Sequence, residues 1–424
     1  MIDVPNIRHL RAVSTVASLR SVNGAAEVLR LSQPAVTLAV RHIEEICGAD
    51  LFVRHKSGIY ATDAGEVFIR RIDRSLSELA RGLVGAGDKE GSAVERTRQF
   101  STSQITAVAA LYDTLDWAGA AEMLGVSVQS VKRTIRSVDL LLQSPVLQPA
   151  ASGVQLSVEG IRLARGAKLA IREIELGFEE LAHLRGGSSG TLRIGAMPLA
   201  RAQILPETIT RILASFPDLK VVVQEGSYEY LLDLLRNGDV DLMVGALRGN
   251  SLAPDVTEEV LMRVPLSVVA RQGHPLQNKP DLTLADTVPY QWIVNTVGSP
   301  SRTLFGRAFR DRGLALPERV LEIGTLGVIR GLLLRGDLLT MLSRHQIYFE
   351  EEVGKLVVLD IDLPETVRAI GASTRRGWQP TRPQDEFLTL LRAVCHADPA
   401  RTQTNCDEAT GHLRVVHDAR RPKQ

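Results

Sequence analysis

Cysteine is nearly absent from this chain. There are three in 424 residues, Cys47, Cys395 and Cys406, and no Cys-x-x-Cys pair. That excludes a disulfide framework and a zinc site of the usual spacing. Net charge is nearly absent too, with 50 Lys and Arg against 49 Asp and Glu. A generic polybasic binder is thereby excluded; a reader whose basic residues are local is not. No apolar run reaches transmembrane length, and Met1-Ile2-Asp3-Val4-Pro5 carries neither the basic nor the apolar segment of a secretory signal. A cytoplasmic, soluble chain with no membrane partner is expected. The nine histidines fall without a metal-binding spacing, and no Ser/His/Asp order stands on a nucleophile elbow. Metal, cofactor and enzymatic activity are therefore not expected. Glu350-Glu351-Glu352 reads as a solvated helix face.

What the chain does have is length enough for two to four domains, at 424 residues, and 44% hydrophobic residues to supply their cores. It also has one organising stretch, Gly24-Ala25-Ala26-Glu27-Val28-Leu29-Arg30-Leu31-Ser32-Gln33-Pro34-Ala35-Val36. Ala25, Ala26 and Leu29 give a small apolar face that can sit tightly on a neighbour. Ser32 is an N-cap, and Pro34 fits a first helical turn, where backbone N–H groups lack intrahelical partners. The next helix puts Val36, Val40 and Ile43 on one side and Pro34, Thr37, Leu38 and Arg41 on the other. A helical hairpin has the same pattern. The polar outer face and the segment after it favour a helix-turn-helix. Residues 48–65 read as two short strands around a basic tip, Arg54-His55-Lys56, and then a new helix start. Such a winged hairpin brings its basic residues to phosphates.

Residues Ile7 to Gly65 resemble the DNA-binding domain of LysR-type transcriptional regulators. The pieces that carry the resemblance are Ala25-Ala26, Ser32-Gln33-Pro34-Ala35, Glu44, Leu51-Phe52-Val53-Arg54 and Thr62-Asp63-Ala64-Gly65. The motif then recurs at a constant spacing of 95 residues. Gly24-Ala25-Ala26-Glu27 returns as Gly119-Ala120-Ala121-Glu122, Ser32 as Ser127, Val36 as Val131, Arg41 as Arg136 and Gly65 as Gly160. An ungapped echo of this length reads as a tandem duplication. The family pattern has one such domain, so this is a departure from it.

In order, residues 1–65 are expected to be the first winged helix-turn-helix. Residues 66–98 are a linker helix, with Val67, Phe68, Ile72, Leu76, Leu79 and Leu83 on its stripe, followed by a flexible glycine-rich linker from Gly85. Residues 99–160 are the second winged domain. Its outer face, Gln129, Lys132, Arg133 and Arg136, is more basic than that of the first, where Leu38 and Ala39 stand. Its wing is less basic, since Pro149 and Ala151 replace Arg54 and Lys56. Residues 161–190 are a helix and hinge with Leu163, Ala167, Ala170, Ile174, Phe178 and Leu181 at helical spacing. The resemblance makes such helices dimerisation elements. From Thr191 strands alternate with helices, which implies a largely parallel sheet. Residues 191–395 resemble the family's effector-binding domain, including Gly190-Thr191-Leu192-Arg193-Ile194-Gly195, Asp239-Val240-Asp241-Leu242 and Gly273-His274-Pro275-Leu276. Residues 396–424 read as a disordered tail. The expected fold class is multidomain: two α-rich winged helix-turn-helix domains plus an α/β, two-lobed domain of the periplasmic-binding-protein kind.

Ligands of open α/β sheets bind beyond the carboxyl ends of the strands. That nominates Met197, Pro198, Glu225, Gly226, Ala246, Thr296, Ser299, Ser301 and Thr325 as effector contacts. Gly195-Ala196-Met197-Pro198 resembles the branch that includes galactose-binding-protein regulators, so a sugar and an aromatic or other organic acid are both open. The expected DNA contacts are Ser32, Gln33, Pro34, Thr37, Arg41, Arg54 and Thr62, with Ser127, Gln129, Lys132, Arg133 and Arg136 in the second copy. The resemblance implies double-stranded promoter DNA, RNA polymerase and self-association, as a dimer or tetramer, as partners. Two rival classes share the C-terminal fold: an enzyme, and a solute-binding protein with non-reading winged domains.

Overall fold

The structure is a computed structural model and describes residues 4–84, 90–149, 153–249 and 253–397. The chain divides into two units, Met1–Glu259 with Gly371–Leu391 and Val260–Ile370 with Arg392–Gln424.

The first unit opens with α1 (Ile7–Leu19), α2 (Val22–Leu29) and α3 (Gln33–Cys47), a hairpin of β1 (Phe52–His55) and β2 (Gly58–Ala61), and the long helix α4 (Asp63–Leu83). Each helix start is dictated by a cap: the side chains of Asn6, Ser21, Ser32 and Thr62 accept from the Arg8, Gly24, Ala35 and Gly65 N–H groups. Ala25, Ala26, Val36 and Ala39 pack on Ala12 and Val16, so the three helices share one small-residue core. The hairpin is tied on by Ile59, whose N–H donates to the Arg20 carbonyl at 3.1 Å.

After α5 (Glu90–Thr97) the same helices return 95 residues on: α6 (Thr102–Thr114), α7 (Trp117–Leu124) and α8 (Val128–Leu142) keep both bounds, and α9 (Val158–Leu184) keeps the start of α4 and runs six residues further. The local chemistry returns with them. The Leu51 N–H donates to the Glu44 carboxylate at 2.9 Å, and the Val146 N–H donates to Asp139 at 2.7 Å. The Thr62 hydroxyl donates to the Asp50 carbonyl, and the Ser157 hydroxyl donates to the Pro145 carbonyl, both at 2.7 Å. Glycine is required at Gly65 and Gly160, where a Cβ would lie 2.0 Å from the Leu51 carbonyl oxygen and 2.1 Å from that of Val146. In the first copy β1 and β2 pair from Phe52 opposite Ala61 to His55 opposite Gly58; the later segment keeps one antiparallel bridge, Leu147 to Leu156.

The amphipathic stripes of α4 and α9 meet each other. The helices run antiparallel, with Phe68 against Gly177, Ser75 donating to the Ala170 carbonyl at 2.8 Å, and Gly82 against Gly166. At their centre Arg71 is only 1% exposed. It donates to both Glu180 oxygens, at 2.8 and 2.9 Å, and to Glu173 at 2.8 Å, while Arg74 forks onto Glu173 at 3.0 Å. Burial disfavours the Arg71 charge, but Glu180 and Glu173 together raise its pKa. The stripes expected to pair between subunits are therefore covered within one chain. The glycine-rich linker also differs from expectation. Its residues 90–97 are helical, with the Arg96 guanidinium donating to the Leu83 carbonyl at 2.6 Å, and residues 85–89 lie outside the described residues.

The same unit continues through β3 (Gly190–Ala196), α10 (Ile204–Ser215), β4 (Leu219–Glu225), α11 (Tyr228–Asn237) and β5 (Leu242–Ala246). Within β6 (Val256–Val264) the chain passes to the second unit, and within β12 (Arg368–Arg375) it comes back. The strand order is β4-β3-β5-β12-β6, and β3 is parallel to both β4 and β5. The second unit holds β7 (Ser267–Arg271), β8 (Gln291–Val294), α12 (Pro300–Asp311), β9 (Val320–Glu322), α13 (Leu326–Leu333), β10 (Leu338–Leu342), α14 (Tyr348–Glu352) and β11 (Leu356–Val358). Its sheet has the order β11-β7-β10-β8-β9, packed around Trp292, Phe305 and Phe309. The last helix is α15 (Arg382–His396). It takes in His396, which the sequence assigns to the tail, and residues 398–424 lie outside the described residues. The Glu350-Glu351-Glu352 run is less free than expected, because Arg330 pairs with Glu350 and Arg344 with Glu351.

Candidate nucleic-acid interface and effector site

Helix α3 presents Gln33, Pro34, Leu38 and Arg41 to solvent, with Thr37 half-buried beside them. Thr37 donates back to the Gln33 carbonyl at 3.1 Å, one turn of helix away. Leu38 is 68% exposed, an apolar side chain on an otherwise polar face. The sequence places Ala39 on that face, but it is 4% exposed, because it lies one helical turn from Val36 and Ile43 on the core side. Arg54, His55 and Lys56 are exposed at the hairpin tip. Thr62 stands at the hairpin base: its hydroxyl donates to the Asp50 carbonyl and its oxygen caps α4.

The outer side of α8 presents Gln129, Arg133 and Arg136, all exposed. Lys132 is partly drawn in, its ammonium 5.5 Å from the centre of the Trp117 ring. Ser127 repeats the Ser32 cap, accepting from the Ser130 N–H at 3.2 Å. Pro149 is exposed, and Ala151 lies outside the described residues.

The nine expected effector contacts are divided between the units. In the first, Met197, Glu225 with Gly226, and Ala246 stand at the carboxyl ends of three neighbouring parallel strands, which register as Ala196 to Glu225 and Ala196 to Val244. Met197 turns inward. Its side chain is buried in the cluster with Leu231, Leu235 and Met243, because Gly245 leaves the space a Cβ would take. Pro198 is exposed, and Glu225 pairs with Arg201 at 2.8 Å. In the second unit, Thr296 and Thr325 follow the parallel strands β8 and β9. Ser299 caps α12, donating to the Thr296 carbonyl at 2.8 Å. Thr325 is exposed, and its hydroxyl makes no cap bond.

One residue of this second group escapes the sequence reading. Arg368, at the start of β12, donates to Ser301 Oγ at 3.2 Å. No carboxylate offsets its burial, which pushes its pKa down to about 10, and its Nε is buried without a partner. Arg302 also keeps one guanidinium nitrogen buried and unpaired. The available signal is a lone arginine at the mouth of an apolar strand, Arg368-Ala369-Ile370-Gly371. A separate cavity of about 800 Å³ lies between α4, α9 and the β12 end. It contains none of the expected residues, and two of its arginines are committed, Arg74 to Glu173 and Arg236 to Asp255.

Comparison with known proteins decides the family. The profile described as the bacterial regulatory helix-turn-helix of the lysR family matches residues 7–66, and the LysR substrate binding domain matches residues 185–396. The HTH-type transcriptional regulator GalR of Pseudomonas putida is 35% identical over 396 residues, covering 93% of this chain and 99% of that protein. The chain belongs to the LysR family of transcriptional regulators. It is a DNA-binding regulator with a C-terminal effector-binding domain, and not an enzyme. PcaQ of Agrobacterium fabrum is 26% identical over 275 residues, 64% of this chain and 88% of its own. Among solved structures, a full-length OxyR variant of Pseudomonas aeruginosa shares the fold with a TM-score of 0.55, at 18% identity over 72% of this chain and 97% of that one. Among the described residues, no helix is long and apolar enough to cross a membrane.

Proposed function

We propose that this regulator reads DNA through two winged helix-turn-helix units, residues 1–65 and 99–160, joined by segments 66–98 and 161–190. The observation that carries this is the recurrence of caps, carboxylate-to-backbone bonds and helix bounds at a spacing of 95 residues. The lengths of relatives support it: GalR matches this chain over 99% of itself, whereas PcaQ is covered to 88% by 275 residues and so is shorter. In this reading Gln33, Pro34, Thr37 and Arg41 meet base edges, as do Gln129, Arg133 and Arg136, and Arg54 and Lys132 meet phosphates. Ser32 and Ser127 hold the entry turns, and Thr62 holds the wing. Affinity for the duplex upstream of the protein's own gene, measured at fixed salt, tests this. Arg41→Ala is expected to cost on the order of 1–3 kcal/mol of discrimination, and Arg133→Ala/Arg136→Ala a comparable amount. A double variant indistinguishable from wild type would remove the 99–160 unit from the interface.

The effector in this reading is an organic acid held at the 191–395 domain, with Arg368, Ser301, Ser299, Thr296 and Thr325 as its contacts in the second unit. A half-buried guanidinium whose Nε is buried without a partner, and which no carboxylate offsets, favours an anion, and its fork suits a carboxylate. That is the observation that favours an acid over a neutral sugar. Pro198, Gly226 and Ala246 remain as contacts in the first unit. A thermal-shift screen of aromatic and aliphatic carboxylates against neutral sugars tests it. Arg368→Gln is expected to abolish the acid-induced shift while DNA affinity without ligand is unchanged. A sugar that stabilises both proteins equally would contradict the assignment. RNA polymerase is proposed as the downstream partner.

A further inference from the structure

Two repeats in one chain can be related by a simple translation or by a rotation, and the contacts distinguish these. In an isologous, two-fold arrangement, if residue i of one copy touches residue j of the other, then j of the first touches i of the second. Residues that touch their own equivalents must lie on the axis.

Both signatures are present. Ile7 and Thr102 are equivalents 95 apart, and the Ile7 N–H donates to Thr102 Oγ1 at 2.9 Å. Ser75 and Ala170 are also equivalents 95 apart, and Ser75 donates to the Ala170 carbonyl at 2.8 Å. Two self-contacts in distant elements, one at the starts of α1 and α6 and one midway along α4 and α9, define an axis. The exchanged pairs agree. Gly82 meets Gly166, where an added Cβ would lie 3.0 Å from the Gly166 Cα. Shifting each by the repeat gives Gly177 and Arg71, and there an added Cβ would lie 3.2 Å from the Arg71 Cβ. The Arg71 to Glu173 ion pair at 2.8 Å likewise answers the approach of Gly166 to Glu78.

We propose that residues 4–184 are an internal pseudo-two-fold dimer, so that one chain presents the pair of recognition helices a symmetric homodimer would present, but with unlike side chains. Its ligand is a composite duplex site of two unlike half-sites. The α3 half carries Gln33, Thr37 and Arg41 with a basic wing. The α8 half carries Gln129, Arg133 and Arg136 beside a single-bridge hairpin base. The α4 and α9 stripes are already buried on each other, so a second copy of the chain has no such face left to pair with. The pairing itself stands on the contacts above, while the composite site rests also on the proposed reading by α8.

Two measurements on the full chain separate these. Ser75→Cys/Ala170→Cys, oxidised with copper phenanthroline and mapped by mass spectrometry, is expected to form the 75–170 bond within a single chain, migrating as a monomer on a non-reducing gel. A covalent dimer through that bond, or no bond at all, overturns the internal pairing. Selection from a random duplex pool is expected to return two unlike half-sites in fixed spacing, one of which Arg133→Ala/Arg136→Ala no longer selects. A palindrome of one half-site, unchanged in the double variant, overturns the composite site and with it the reading by α8, while leaving the cross-link result standing.

Discussion

Three arginines show how much a partner decides at the level of a residue. Arg71 is buried among Glu173 and Glu180, and removing it would strand carboxylates, a class of change that costs about 3–5 kcal/mol. Arg307 with Asp311 is an exposed pair of adjacent turns and is worth about 0–1 kcal/mol. Arg368 has burial with no carboxylate to offset it, which is why the proposed effector reading gives it a ligand. Histidines set a pH dependence. Burial lowers the pKa of His9, with His42 adding to the effect, and burial likewise lowers that of His274. Both bind a proton less readily in the fold than in the unfolded chain, whose ordinary value is 6.5. The stability they contribute is therefore present above pH 6.5 and is lost as pH falls. The thermal midpoint is expected to drop on going from about pH 7.5 to about pH 5.5, either side of that value, and to drop by less in His9→Gln/His274→Gln. An equal drop in both proteins would contradict the assignment.

Elements are legible in the sequence to different degrees, for physical reasons. Helix bounds in both repeats follow from caps and small-residue faces, which are local, and the spacing of 95 carries them across. The core side of α8, Val131, Ile135 and Val138, follows from periodicity and is buried. What α4 and α9 pack against is not local: an apolar stripe is the same whether its partner is in the same chain or another. Met197 misleads because position after a strand does not say which way a side chain turns, and Gly245 supplies the space only in three dimensions. Arg368 is hidden because its missing partner is visible only once Ser301 is beside it. The α4–α9 contact carries its own prediction. A Cβ at Gly166 would lie 2.7 Å from the Gly82 Cα, so the helix backbones must part to admit it. Gly166→Val is expected to destabilise the protein by about 1–3 kcal/mol in urea unfolding, as overpacking does. Gly125→Ala is a poor control because its φ is +65°. Exposed Glu159→Ala on the same helix should change little.

At the scale of the whole molecule, the proposed reading puts a pair of DNA readers into one chain of a LysR-family regulator that keeps the family's effector domain. Residues 1–65 carry the basic wing and a helix face softened by Leu38, and residues 99–160 carry the more basic helix. In the proposed reading this division gives each repeat half of the apparatus and makes the composite site asymmetric in the same sense. The most direct test is a hydroxyl-radical footprint on the duplex upstream of the protein's own gene, comparing wild type with Arg41→Ala and with Arg133→Ala/Arg136→Ala. Two readers in one chain predict a single long protected region from which each variant loses a different part. Protection that is unchanged in the double variant, or lost in the same place in both, would contradict them.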